Sequence, residues 1–234
     1  MITGPDNLFA LADCASLLRS ELAGVAEHAL RQPNGRALVL QACAANRELA
    51  CDTRHLAPLR MHVERDGFAG DVVAAPAALP CEDDAFRLVL VQHAGDVLPS
   101  RRGALLDEIS RVLAPGGVLL WYGLNPWSPW LAWMHWQARR GLAFPRAVSA
   151  DIARRRLLRR QLAPVSVDYV GACWPQRGEP SAIHSARVLA PMRGAYLLTA
   201  SKQRAVLTPL RPRRLRMPAR MQPQLAAPSR RESA

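Results

Sequence analysis

The stretch that most constrains this chain is Phe86–Asn125, FRLVLVQHAGDVLPSRRGALLDEISRVLAPGGVLLWYGLN. Leu88–Val91 is a continuous apolar run, the pattern of a parallel strand covered on both faces. Ser100 can cap a helix over Arg101–Leu113, in which Leu105, Ile109, Val112 and Leu113 fall on one face. Ala114-Pro115-Gly116-Gly117 stops that helix by turn chemistry, and Val118–Tyr122 follows as a second apolar strand. Strand, crossover helix and strand make a βαβ unit, so the two strands should be parallel with helices on the sheet faces.

The rest of the chain extends this pattern. Asn7–Leu30 predicts a helix, because Leu8, Leu11, Ala15, Leu18, Leu22, Val25 and Ala29 draw one apolar stripe. Pro33-Asn34-Gly35 ends it in a turn. Arg36–Gln41, Arg60–Val63 and Asp71–Ala74 are short strand candidates. Ser128–Arg140 and Ala150–Leu162 are helix candidates, the second capped by Ser149 and exposing an arginine-rich face. Val165–Val170 alternates as a strand, and Ala195–Ala200 reads as another. The expected fold is α/β: a Rossmann-like, doubly wound sheet of about seven strands, mostly parallel with an antiparallel edge hairpin.

Composition narrows the class. No charge-free apolar run of spanning length and no signal-like start is present, so a soluble cytoplasmic protein is expected. The five cysteines are Cys14, Cys43, Cys51, Cys81 and Cys173. They are odd in number, widely spaced and lack a CxxC pair, which argues against a disulfide framework or a zinc site. The net charge of +12 is uneven: Lys202–Ala234 holds nine basic residues and one acid, leaving 22 basic and 18 acidic residues in the remainder. Residues 1–202 are therefore read as the α/β domain and 203–234 as a basic, Pro- and Arg-rich disordered tail able to meet a polyanion.

Phe86–His93, Leu106–Gly117 and Gly123–Ser128 resemble the fourth strand, the helix with its Pro-Gly-Gly turn, and the loop after the fifth strand of the class I S-adenosylmethionine (SAM)-dependent methyltransferases, type 11-like. With weaker matches the resemblance covers roughly Leu38–Ser201. It implies SAM as cofactor, transfer of a methyl group to an acceptor held in line with it, and a binding crevice at the carboxyl ends of the strands.

Carried onto this chain, the resemblance implies cofactor contacts from Gln41, Ala42, Cys43 and Ala44 after the first strand. Glu64 would take the ribose hydroxyls, with Asp66 as competitor and a solvated loop acid as the plain reading. Ala75 and Pro76 stand where the family carries its adenine acceptor, and Gln92, His93 and Ala94, with Asp96 close by, end the fourth strand. Two departures stand out. The turn Gln41–Asn46 has no glycine, although backbone approach to a cofactor favours one, and Ala75 replaces the acidic acceptor. His93 is the candidate for orienting a ligand or acting as a base, against the plain reading of a structural hydrogen-bonder.

Five of six tryptophans lie between Trp121 and Trp136. Asn125, Trp127 and Trp130 are the candidate acceptor contacts, suited to a small-molecule or lipid-like acceptor. The same stripe could instead touch a bilayer or pack in the core. Beside the enzyme reading stand a methyltransferase-fold scaffold or regulator that no longer binds SAM, and an arginine-rich binder of nucleic acid or membrane surfaces.

Overall fold

In a computed structural model, the described residues are 8–22, 24–44, 53, 55–175 and 187–203. They form a seven-stranded sheet in the order β3-β2-β1-β4-β5-β7-β6. Four parallel strands make its centre: β1 (Gly35–Gln41), β2 (Leu56–Glu64), β4 (Phe86–Gln92) and β5 (Leu113–Leu124). On one side β7 (Ala195–Lys202) runs antiparallel to β5, and β6 (Leu162–Val170) pairs antiparallel to β7, which is the expected edge hairpin.

The other edge differs from the expectation. β3 is Gly67–Gly70, not Asp71–Ala74, and it runs antiparallel to β2. Arg65 adopts a positive φ of 52°, which folds the chain straight back after Glu64. The Asp71 backbone N–H then donates to the Arg60 carbonyl (2.9 Å), and its carboxylate accepts from the Arg60 N–H (2.7 Å). These bonds hold Asp71 beside the edge of β2, while Ala74 returns only as an isolated bridge to Phe68.

The alternation of the strands sorts two cores. Leu38, Leu40, Val89, Val91 and Leu119 face α4 (Arg102–Val112) and α6 (Ala150–Leu158) through Leu105, Ile109, Val112, Ala153 and Leu157. Val39, Leu88, Leu90 and Leu120 face the other way, onto Leu22, Val25 and Ala29. Burying both faces of β1, β4 and β5 is why these strands read as unbroken apolar runs. β5 begins earlier than expected, at Leu113, and Gly116 takes a φ of +77° in the irregularity where the register jumps from Phe86↔Leu113 to Leu88↔Val118.

The N-terminal stripe does not form one helix. Two 3-10 turns, Leu8–Ala10 and Ala12–Cys14, precede α1 (Ala15–Leu22), and α2 (Val25–Leu30) follows after Gly24. Extended backbone at Leu11 interrupts the first part, and Gly24 weakens the helix at the second break. Ser100 does not cap α4, whose N-cap is Arg101; Ser149 precedes α6 without a side-chain cap bond. Ser128 does cap α5 (Pro129–Ala138), its hydroxyl accepting from the Trp130 N–H at 3.3 Å. Among the described residues no helix is long and apolar enough to cross a membrane. The Pro- and Arg-rich tail, apart from Gln203, lies outside the described residues, as do Ala45 and Asn46 of the glycine-free turn.

Candidate cofactor site

The topology places β1, β2 and β4 side by side and parallel, so Gln41–Ala44, Glu64 and Gln92–Ala94 do converge on one end of the sheet. Gln41 and His93 meet there as an isolated bridge. α3 (Ala94–Val97) starts immediately after β4, because His93 turns the chain in the left-handed conformation, φ 56°. A non-glycine residue in that region needs surrounding contacts to hold it. His93 has them on both ring nitrogens.

His93 Nε2 lies 2.8 Å from Glu21 Oε1, and Nδ1 lies 3.0 Å from Asp96 Oδ2. Glu21 also accepts from Gln92 Nε2 (2.9 Å), and Gln92 in turn accepts from Gln41 Nε2 (3.3 Å). Asp96 accepts from the Leu124 N–H (2.8 Å) and pairs with the Arg102 guanidinium (3.5 Å). Arg102 donates onward to the Gly95 carbonyl. The result is a buried relay of alternating charge, Glu21–His93–Asp96–Arg102, whose formal charges cancel when the imidazole is protonated. Burial alone would push the His93 pKa down. The Glu21 carboxylate, then the hydrogen bonds to Asp96 and Glu21, outweigh it and raise the pKa to about 9.

This environment decides the chemistry of His93. It is completely buried, and Phe9 stacks on its ring with centroids 4.5 Å apart at an interplanar angle of 18°. Both ring nitrogens are engaged by carboxylates, so His93 ties the N-terminal segment to the sheet as a latch. Gln41, Ala42, Cys43, Gln92 and Ala94 are also buried, and Ala44 is exposed. Leu8, Phe9, Leu17 and Leu18 pack over the turn with Ala42 and Cys43. Among the described residues, the chain's own side chains thus pack against the ends of β1 and β4. Glu64 is different, standing exposed at the end of β2. Ala75 and Pro76 lie in a turn beyond the β3 edge, the first exposed and the second buried.

The acceptor candidates divide. Asn125 is buried and committed to backbone: its Nδ2 donates to the Pro191 and Arg193 carbonyls (2.7 and 2.9 Å), and its Oδ1 accepts from the Trp127 N–H (3.1 Å). It pins the loop after β5 to the segment before β7, with both its N–H donors committed to backbone. Trp130 is fully buried, not a surface contact. Its indole N–H donates to the Ala172 carbonyl at 2.8 Å, and its edge fills the space beside Gly194. Trp127 is 79% exposed and remains available.

Glu21 is the residue that sequence reasoning missed. The signal was present: it lies three residues after Leu18 and four before Val25, inside the apolar stripe. A carboxylate on that face needs a buried partner. Among the described residues, no group of three or more His, Cys, Asp or Glu side chains could hold a metal ion.

Residues 34–121, from the turn before β1 into β5, match the methyltransferase domain family. The solved structures agree. A SAM-dependent methyltransferase of Thermotoga maritima, described as a possible histamine N-methyltransferase, is 14% identical with a TM-score of 0.53, over 83% of this chain and 93% of that one. A SAM-dependent methyltransferase of Archaeoglobus fulgidus is 13% identical with a TM-score of 0.54, over 77% of this chain and 92% of that one. This chain has the class I methyltransferase fold. The match spans β1 to β4 and most of β5. No curated protein resembles it at a significant level.

Proposed function

We propose that the chain is a SAM-dependent methyltransferase whose cofactor crevice, at the carboxyl ends of β1, β2 and β4, is closed by its own N-terminal segment and opens when Phe9 leaves His93. The observation that supports cofactor binding is the family match over residues 34–121, which falls on β1, β2 and β4. Glu64, exposed at the end of β2, would hold the ribose hydroxyls, since one carboxylate can accept both hydrogen bonds. Acceptor recognition would fall to Trp127 and its surroundings, not to Asn125 or Trp130.

A second reading has its own observation. The Phe9–His93 stack and the buried relay beneath it pack the carboxyl end of β4 as a finished core. A permanently closed crevice would make the domain a scaffold that has exchanged its cofactor for an internal ion network.

Calorimetry with SAM and with its demethylated product, on the parent and on Phe9→Ala, separates the two. Binding to the parent, or binding that appears or tightens in Phe9→Ala, supports the gated enzyme. Ligand should then raise the melting temperature with concentration, and Glu64→Gln should weaken affinity by about 1–3 kcal/mol. No heat and no melting shift in either protein, with Phe9→Ala still folded, assigns the scaffold reading.

A further inference from the structure

The α5 region is apolar where a soluble helix should be polar. Its inner side is accounted for by Trp130 and Met134, both fully buried. Its outer side nevertheless carries Trp136, 54% exposed, with Ala132 one turn earlier and Arg140 one turn later. Trp127, just before the helix, is also solvent-exposed, and so is Phe144 beyond it. Ser128, Leu131, His135 and Phe144 line a shallow open groove of about 570 Å³ on this side. Large aromatic side chains left in solvent at Trp127, Trp136 and Phe144, beside this groove-bearing helix, call for a partner.

The electrostatics select the kind of partner. No acidic residue occurs between Glu108 and Asp151. Arg139, Arg140 and Arg146 are all exposed at the carboxyl end of the patch, and the Arg140 guanidinium lies 5.1 Å from the Trp136 ring centroid. Tryptophan with an apolar body and one N–H donor favours the boundary between hydrocarbon and water. Arginines flanking it favour the anionic headgroups at that boundary. An acidic protein partner would need an apolar centre of its own to cover the indoles, whereas an anionic bilayer supplies apolar and anionic chemistry along one boundary.

We infer that the Trp127–Arg146 face docks on an anionic lipid bilayer surface, inserting Trp127, Trp136 and Phe144 at headgroup depth while Arg139, Arg140 and Arg146 meet lipid phosphates. The docking stands apart from cofactor binding, and its test needs no SAM. Because α5 follows β5, the docked face belongs to the same end of the sheet as the crevice. Trp130 and Met134 on its inner side share one core with Leu8 and Phe9.

The experiment is flotation of the full chain with phosphatidylcholine vesicles and with vesicles of phosphatidylcholine and phosphatidylglycerol. The parent should float with the anionic vesicles, less so as salt is raised. Trp127→Ala/Trp136→Ala should bind them at least about tenfold more weakly, since apolar burial drives insertion. Arg139→Gln/Arg140→Gln should reduce binding to anionic vesicles toward the level seen with phosphatidylcholine alone. Circular dichroism and melting temperature, unchanged because these side chains are exposed, show that both variants fold. The basic residues from Lys202 onward could also attract anionic vesicles, but binding through them would ignore the tryptophans. A parent that does not float overturns the inference, and so does a tryptophan pair variant that floats like the parent. A parent dimer that this variant dissociates, without vesicle binding, overturns it in favour of a second copy of the chain.

Discussion

The latch at His93 makes the stability of this protein depend on pH in a particular direction. In the unfolded chain His93 titrates near 6.5, and in the fold its pKa is raised to about 9. A raised histidine pKa contributes stability fully below the unfolded value, and that contribution is lost as pH rises through the folded value. The gap corresponds to about 3 kcal/mol in total. Between pH 6.5 and 8.5 the native state keeps its proton while the unfolded chain gives it up, so stability should fall by about 2–3 kcal/mol. In melting temperature that is roughly 4–12 °C for a domain of this size. His28, lowered by burial and then by Arg31, acts in the opposite sense and only below about 6.5. Cys14, raised chiefly by burial, adds to the loss only as its thiol titrates in the unfolded chain, so the window closes near pH 8.5. The assay is urea unfolding at pH 6.5, 7.5 and 8.5. Glu21→Gln removes the largest influence raising the pKa, so it should lower stability at pH 6.5 and flatten the profile. A parent whose stability is level or rises across this window refutes the buried imidazolium, and so does an equal slope in Glu21→Gln.

Two further expectations separate core from surface. Trp130→Ala should cost about 3–5 kcal/mol in chemical denaturation, because it empties a site that also satisfies the Ala172 carbonyl. Trp127→Ala should stay within about 0.5 kcal/mol of the parent. Removing Thr208–Ala234 should leave thermal stability within about 0.5 kcal/mol, because that segment is too poor in large apolar side chains to join a core. It should also reduce retention on heparin at moderate salt, since the nine basic residues from Lys202 onward include seven in the removed piece.

The frame of the fold was legible because its signals are local. The apolar runs of β1, β4 and β5, the helix stripe of α4 and the irregularity at Gly116 each follow from residues within one turn or strand of each other. β3 was missed for a local reason: Arg65 takes a positive φ that glycine or asparagine would have advertised, and Asp71 looked like a strand start when its carboxylate caps an edge. The site was less legible because its logic is long-range. Glu21 and His93 are 72 positions apart, and Asn125 binds carbonyls 66 and 68 positions away. Periodicity sees a lone acid in an apolar stripe; it cannot see which cation answers it.

Glu21, His93 and the missing glycines bear on one another. A glycine-rich turn after β1 would leave backbone bare for a ligand, whereas Ala42 and Cys43 put methyl and thiol groups there, and both are buried against the N-terminal segment. Filling the turn draws that segment down, which brings Phe9 over His93 and Glu21 beside it. Glu21 could not be buried without a cation, nor His93 be held protonated without Glu21. The relay therefore depends on the closed segment, and the segment is held by the relay: breaking either one should release the other. On the gated reading, Glu21 rather than Glu64 would set how firmly the segment closes. Glu21→Gln should then increase SAM affinity if the gated reading holds, even though Glu21 would never touch the cofactor.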